Sequence, residues 1–194
     1  MIFTLLRLYN SLLVFPLRYI FLTHKLGKYL INSKKIIDVG SSNGRLAHSL
    51  MNAHPQLNIQ GIDTVVLSQK YIPVQKYDGK HIPFKKNWFD TALIVDVLHH
   101  DKNIFSLLKE ILRVTTTYLV IKDHYYETPE EFEALKKADW AGNAPYGIEL
   151  PYNYLTLNEW NSLFKQLHLK ILKQETFSYT PFDKTKNIIF LLKK

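Results

Sequence analysis

The chain has 194 residues, enough for one domain with a substantial core. At 46% hydrophobic and 13% aromatic residues it lies well above a disordered profile. The absence of cysteine excludes disulfides, thiolate catalysis and cysteine-bound zinc, and it fits a reducing, cytoplasmic setting. A net charge of +8 reads either as a lysine-rich solvated surface or as attraction to something anionic: a membrane surface, a nucleic acid or an acidic substrate.

Residues 1–37 hold Arg7, Arg18, Lys25, Lys28, Lys34 and Lys35 and no acidic residue. Residues 2–22 are mostly apolar, but two arginines and Pro16 interrupt them, so a membrane-spanning helix is not expected. Nor is a secretory signal, because no small-residue cleavage site follows the apolar run. On a helical wheel, Thr4, Arg7, Asn10, Ser11 and Arg18 share one arc of roughly 120°. The rest of the wheel is apolar. Such a helix suits a membrane interface, a second copy of the chain, or packing on its own domain. Pro16 removes the bond to the Leu12 carbonyl and predicts a kink. Residues 24–33 read as a short helix of their own.

Beyond this segment, strand and helix periods alternate. Strands are expected at 36–39, 57–62, 74–77, 89–95 and 118–121, and helices at 45–53, 104–113 and 128–140. Leu67–Tyr71 reads as a short helical turn, and 141–154 as a loop rich in Gly, Pro, Asn and Tyr. Thr156 and Glu159 form a capping box opening a helix to Leu167. Strands at 169–175 and 187–192 close the chain as a long hairpin whose connection carries Tyr179, Pro181 and Lys184. The expected fold is α/β and Rossmann-like: a seven-stranded mixed sheet, mostly parallel with one antiparallel edge strand, helices on both faces.

In such a sheet, ligands bind outside the carboxyl ends of the strands. Those ends carry polar residues one after another. The first has Gly40-Ser41-Ser42-Asn43-Gly44, two residues beyond Asp38; the second has Asp63 and Thr64, at ribose-binding distance; the third has Asp78-Gly79. After the fourth come Asp96, His99 and His100, and after the fifth Lys122, Asp123 and His124. Lys122 reads as a solvated lysine. A dinucleotide needs G-x-G-x-x-G, which this chain lacks, and Asp38 would repel a pyrophosphate. The same carboxylate suits a ligand with an ammonium or amine.

Asp38-Val39-Gly40-Ser41-Ser42-Asn43-Gly44 resembles the D-x-G-x-G-x-G motif of class I S-adenosylmethionine-dependent methyltransferases. The stretches 82–90 and 95–100, and Glu110 to Val114, are similar to their type 11 branch. The resemblance implies that Gly40, Ser41 and Gly44 line the methionine part of S-adenosylmethionine with Asp38 nearby, and that Ser42 and Asn43 of the same turn also bind the cofactor. It further implies that Asp63 and Thr64 hold the ribose, that Asp78 and Gly79 flank the adenine, and that Asp96 faces the cofactor's amino acid. Ser42 departs from the motif's glycine. The implied domain is 34–194, after an amphipathic helical segment at 1–33, with 125–154 as an inserted substrate cover.

A hydroxyl or amine acceptor must lose a proton. His124, His99 and His100 are candidate bases, His124 foremost, with Asp123 as an orienting group. The site is read without a metal. The aromatic-rich cover suits a small-molecule or lipid-like acceptor. Alternatives are an RNA or protein methyltransferase, a non-catalytic scaffold and, last, a dehydrogenase. Nucleic acid is not expected, because no basic–aromatic stripe is evident. Residues 1–22 are the expected contact with the inner face of a membrane or with a second copy.

Overall fold

The computed structural model describes residues 2–179 and 183–194. Seven strands form one sheet: β1 (Lys35–Val39), β2 (Asn58–Asp63), β3 (Val74–Lys76), β4 (Phe89–Val95), β5 (Thr115–Tyr125), β6 (Lys170–Phe177) and β7 (Lys186–Lys193). Their order is β3-β2-β1-β4-β5-β7-β6. Strands β1 to β5 pair in parallel; β7 runs antiparallel to both β5 and β6. The sheet is thus mixed, with antiparallel pairing confined to one edge, and the antiparallel strand lies one position in from that edge. Pro181 of the expected hairpin connection lies outside the described residues.

Successive strand residues alternate between two cores. Ile37, Val39, Ala92, Ile94, Leu119 and Ile121 face one side, with Leu108 and Ile111 of α4 (Ile104–Val114) and Trp160 and Phe164 of α6 (Leu157–Gln166). Ile36, Leu93, Val120 and Ile189 face the other, with Leu46 and Leu50 of α3 (Arg45–Ala53) and Leu22 and Leu26 of the N-terminal helix. Burial on both faces explains why the central strands read as continuous apolar runs.

The N-terminal helix is longer than expected. Helix α1 (Ile2–Tyr9), a π-helical turn (Asn10–Val14) and α2 (Phe15–Gly27) form one continuous helix of 26 residues. Residues 24–33 are therefore not a separate helix: their first part completes α2. The π turn stands directly before Pro16 and ends on a bond from the Phe15 N–H to the Asn10 carbonyl. A proline supplies no N–H to the preceding turn, and widening that turn absorbs the defect.

Other boundaries also differ. Residues 67–71 form no helical turn; the Tyr71 N–H instead donates to the Asn43 carbonyl at 2.8 Å. Strand β5 spans 11 residues rather than four, because β7 pairs with its polar end as far as Tyr125. Helix α5 (Pro129–Asn143) opens on a Thr128–Glu131 capping box and runs past Trp140 into a 3-10 turn at Ala144–Tyr146.

Trp160 stacks on Phe164 and Phe190 and is almost fully buried. Trp160→Ala is expected to cost about 3–5 kcal/mol of unfolding free energy in urea titration, with little change in the denaturant slope.

Candidate active site

The glycine turn after β1 is shaped by two close approaches. Gly40 and Gly44 adopt positive φ, and a Cβ on either would come within 2.3 Å of Val97 or Ile72. Ser42 also takes a left-handed backbone, φ 52°, without being glycine. The turn folds over the end of β2: the N–H groups of Gly40 and Ser41 both donate to the Ile62 carbonyl, and the Ser42 N–H donates to Asp63 Oδ2 at 2.7 Å. Asn43 Oδ1 accepts from the Arg45 N–H at 3.2 Å. Gly79 lies beside Thr64, whose methyl group is 3.4 Å from where a Cβ would stand. The turn meets Asp63, and Thr64 meets Gly79, along one rim. Asp78 is exposed and accepts from the backbone N–H groups of His81 and Lys80 and from the His81 ring. Those bonds hold its carboxyl well below the usual carboxylate range.

Asp38 is buried beneath the turn. Burial, reinforced by the nearby Asp63, pushes its pKa up to about 7 against a hydrogen bond from Ser41 that lowers it, and no cation is among the groups that set it. A buried carboxylate short of a cation, with the Ser41 hydroxyl beside it, suits a ligand bearing both positive charge and hydrogen-bonding groups. S-adenosylmethionine has these features, and the residues present fit it.

Asp96, after β4, has φ 54° and accepts from two cations. Lys122 Nζ of β5 donates at 2.5 Å, and the Arg18 guanidinium of α2 donates to the other oxygen. Burial opposes the charge of Asp96, but Lys122 and Arg18 outweigh it and hold its pKa well below the usual value. Lys122 is fully buried, which corrects the expectation of a solvated lysine. Its apolar neighbours along β5, Val120 and Ile121, were the available signal.

The histidines converge but differ in kind. The buried His99 ring donates from Nδ1 to Asp123 Oδ1 at 2.6 Å. Burial opposes its charge, yet Asp123, with Asp96 and Asp139, outweighs that and raises its pKa. His124 is buried beside Lys122, and both effects push it down to about 3. Its Nδ1 is unsatisfied. A ring so weakly basic is a poor proton acceptor, so the surroundings of His124 argue against its leading place among the candidate bases. His100 is more open, with its side chain 21% exposed. Burial and the charge of His99 lower its pKa, so it stays neutral at pH 7.

Asp139 of α5 completes the group. Its Oδ1 lies 3.7 Å from His100 Nε2 and 3.9 Å from His99 Nε2. The Tyr154 hydroxyl donates to Oδ2 at 2.9 Å, and Asn143 Nδ2 donates to Oδ1 at 2.6 Å. Tyr154 stacks on His99 with ring centroids 5.1 Å apart. Asn153 ties this segment to the histidine turn through bonds to the His99 and Asp101 carbonyls. Asp139 and Arg18 are missing from the sequence-based site. Arg18 was visible only as a lone charge in an apolar stretch, and Asp139 only as one of several charges along a charged helix.

A methyltransferase-domain family profile matches residues 16–174. No curated protein sequence matches the chain. Among solved structures, the chain is similar to a putative methyltransferase from Bacillus halodurans (12% identity, 87% of this chain, 98% of that one, TM-score 0.64). It is also similar to a SAM-dependent methyltransferase from Aquifex aeolicus (16% identity, 87% of each chain, TM-score 0.61). The plantazolicin methyltransferase BpumL, solved with S-adenosylhomocysteine, aligns over 96% of this chain and 87% of its own (16% identity, TM-score 0.67). The profile covers most of the chain; the chain belongs to the methyltransferase-domain family and is an enzyme that takes its methyl group from S-adenosylmethionine.

Proposed function

We propose that this enzyme methylates an oxygen or nitrogen of a lipid-like molecule while seated on an anionic membrane surface. The observation that carries this reading is the inverted polarity of the N-terminal helix. Its polar residues face the protein: Arg7 donates to the Pro145 carbonyl, Asn10 to the Ala141 carbonyl, Arg18 to Asp96 and Lys25 to Glu175. Its apolar residues face outward, with Leu12 65%, Leu17 66% and Ile20 70% exposed, and Leu5, Leu8 and Leu13 also open. A helix docked on its own domain by hydrophobic burial would show the opposite arrangement. A row of exposed leucines this long marks an apolar partner surface. With Arg7, Arg18 and Lys25 turned inward, Lys28 and Lys34 are the basic residues of this segment left exposed to complement anionic lipid.

The same helix roofs the cofactor rim and the proposed cover. Arg18 reaches Asp96, Arg45 lies over the Tyr19 ring at 5.2 Å, and Phe3 packs on Trp140. An acceptor leaving the bilayer would meet the helix, α5 and the histidine cluster in succession.

Bound at the rim, S-adenosylmethionine supplies a methyl group on a positively charged sulfur that leaves as a neutral thioether. Asp38, Ser41 and the turn hold the amino acid end, and Asp63 with Thr64 holds the sugar. Asp78 and Gly79 stand at the adenine end. Asp96, already paired with Lys122, fixes Arg18 near the methionine carboxylate's expected place. His100, neutral and open, takes the acceptor's proton, and Asp139 stabilises the imidazolium that results. Asp123 orients His99, which packs against His100 at 4.1 Å between ring centroids. Positioning and proton removal are the residues' whole task, because the donor carries its own leaving group.

Asp38 must ionise to meet a cationic ligand, so S-adenosylmethionine affinity by calorimetry is expected to rise from pH 6 to pH 8, by at most about tenfold per pH unit. Asp38→Asn should abolish that pH dependence. The folded-state pKa of Asp38 is raised from 3.8 to about 7, so the ligand-free protein loses stability as pH rises between those values and no further above them. Asp38→Asn should therefore raise the melting temperature more at pH 8 than at pH 5. His100→Gln should lower the turnover rate by about 10²–10⁴-fold while leaving S-adenosylmethionine affinity unchanged. Leu12→Glu with Leu17→Glu should abolish co-sedimentation with phosphatidylglycerol vesicles. If the native chain ignores those vesicles, and the double variant instead converts a dimer to a monomer, the apolar face is a protein interface and the membrane reading is wrong.

A further inference from the structure

His99 and His100 turn the same edge toward α5. Asp123 Oδ1 can only accept, so His99 Nδ1 donates to it at 2.6 Å, and His100 Nδ1 faces the Glu149 carbonyl at 3.3 Å. Each Nε2 is the nitrogen left to face Asp139. Both approach one oxygen, Asp139 Oδ1, at 3.9 and 3.7 Å. A hydrogen bond would close to about 2.7–3.2 Å, so neither contact is one. The carboxylates that raise the pKa of His99 favour a positive charge at this point, and a metal ion that displaces the Nε2 proton supplies one.

The spacing suits an ion. A metal bound at about 2.0–2.2 Å keeps tetrahedral ligands roughly 3.4 Å apart. One donor atom from each of His99, His100 and Asp139 lies within 4.8 Å of the others, and His100, the exposed member, can close the set by a small ring rotation. The supporting contacts are those that metal ligands need. Asp123 fixes the His99 ring, the Glu149 carbonyl fixes His100, and Tyr154 and Asn143 aim the Asp139 carboxylate. Asp96, His99 and Asp123 also cluster, but Asp96 is already neutralised by Lys122 and Arg18, and Asp123 faces the protonated Nδ1.

We infer that His99 Nε2, His100 Nε2 and Asp139 Oδ1 form a binding site for one first-row divalent metal ion in the range Mn²⁺ to Zn²⁺. Two imidazoles favour these ions over Mg²⁺ and Ca²⁺, which prefer all-oxygen sets. Three protein ligands leave an open position for the acceptor's oxygen. With the ion bound, His100 serves as a ligand in place of a base: the ion lowers the acceptor's pKa and its proton departs to solvent. This inference rests on the proposed methyl transfer at this site and departs from the sequence reading, which expects no metal. His100 and Asp139 sit on separate elements, in a 3-10 turn and in α5, and only the fold brings them together.

The test uses the full-length chain stripped by a chelator, with Zn²⁺ or Mn²⁺ alone added in calorimetry and metal analysis. One equivalent should bind. Asp139→Asn and His100→Gln should each weaken binding by more than tenfold, and Asp123→Asn by about 10–100-fold. S-adenosylmethionine affinity serves as the folding control; His100, partly exposed, is the safer variant if Asp139→Asn fails to fold. The inference is overturned if a chain that binds S-adenosylmethionine takes up neither ion, or if binding survives His100→Gln. Undiminished methyl transfer in excess chelator overturns the ion's role and leaves the proposed function standing. One ion bound at these residues in a chain that methylates no lipid-like acceptor keeps the ion site and overturns that function.

Discussion

Asp96 is the point through which three parts of the molecule are joined. It ends β4, accepts from Lys122 of β5, and accepts from Arg18 of the N-terminal helix. A buried lysine and a buried carboxylate are each costly alone, and removal of either leaves the other uncompensated. Their pairing also fixes the helix, because Arg18 follows the carboxylate. Strands β4 and β5, the histidine cluster and the helix therefore share one electrostatic anchor.

That anchor explains the helix's unusual polarity. Charged and polar side chains that would ordinarily meet water are used against the domain, at Pro145, Ala141, Asp96 and Glu175. The apolar residues are left outside. From Leu22 onward the helix returns to ordinary behaviour, with Leu22 and Leu26 in the core beside Ile36 and Leu50. One continuous helix is thus core at its end and an apolar outer surface from its start through Ile20, so the changeover lies beyond the π turn and Pro16.

Around the site, charge separates three histidines that look alike in sequence. His99 is held beside Asp123 and favours its proton, His124 is held beside Lys122 and sheds it, and His100 lies between these limits and opens outward. The difference comes from burial and from charged neighbours, some adjacent in the chain, as His99 is to His100, and some on other elements, as Asp123 and Asp139 are to His99.

The order of strands and helices was legible because burial on both sheet faces leaves apolar runs, and β4 begins and ends where its sequence pattern does. The glycine turn was legible because backbone conformations with positive φ leave few choices at positions 40 and 44. The full length of β5 was not, since Lys122, Asp123 and His124 interrupt its pattern and only pairing with β7 extends it. Local sequence thus determined the sheet, its glycine turn and the carboxylate at Asp63. Tertiary structure alone decided that Lys122 is buried, that Arg18 and Asp139 belong to the site, and which way the first helix faces. A side chain's charge state and direction depend on what packs against it from distant segments, and neither periodicity nor spacing encodes that.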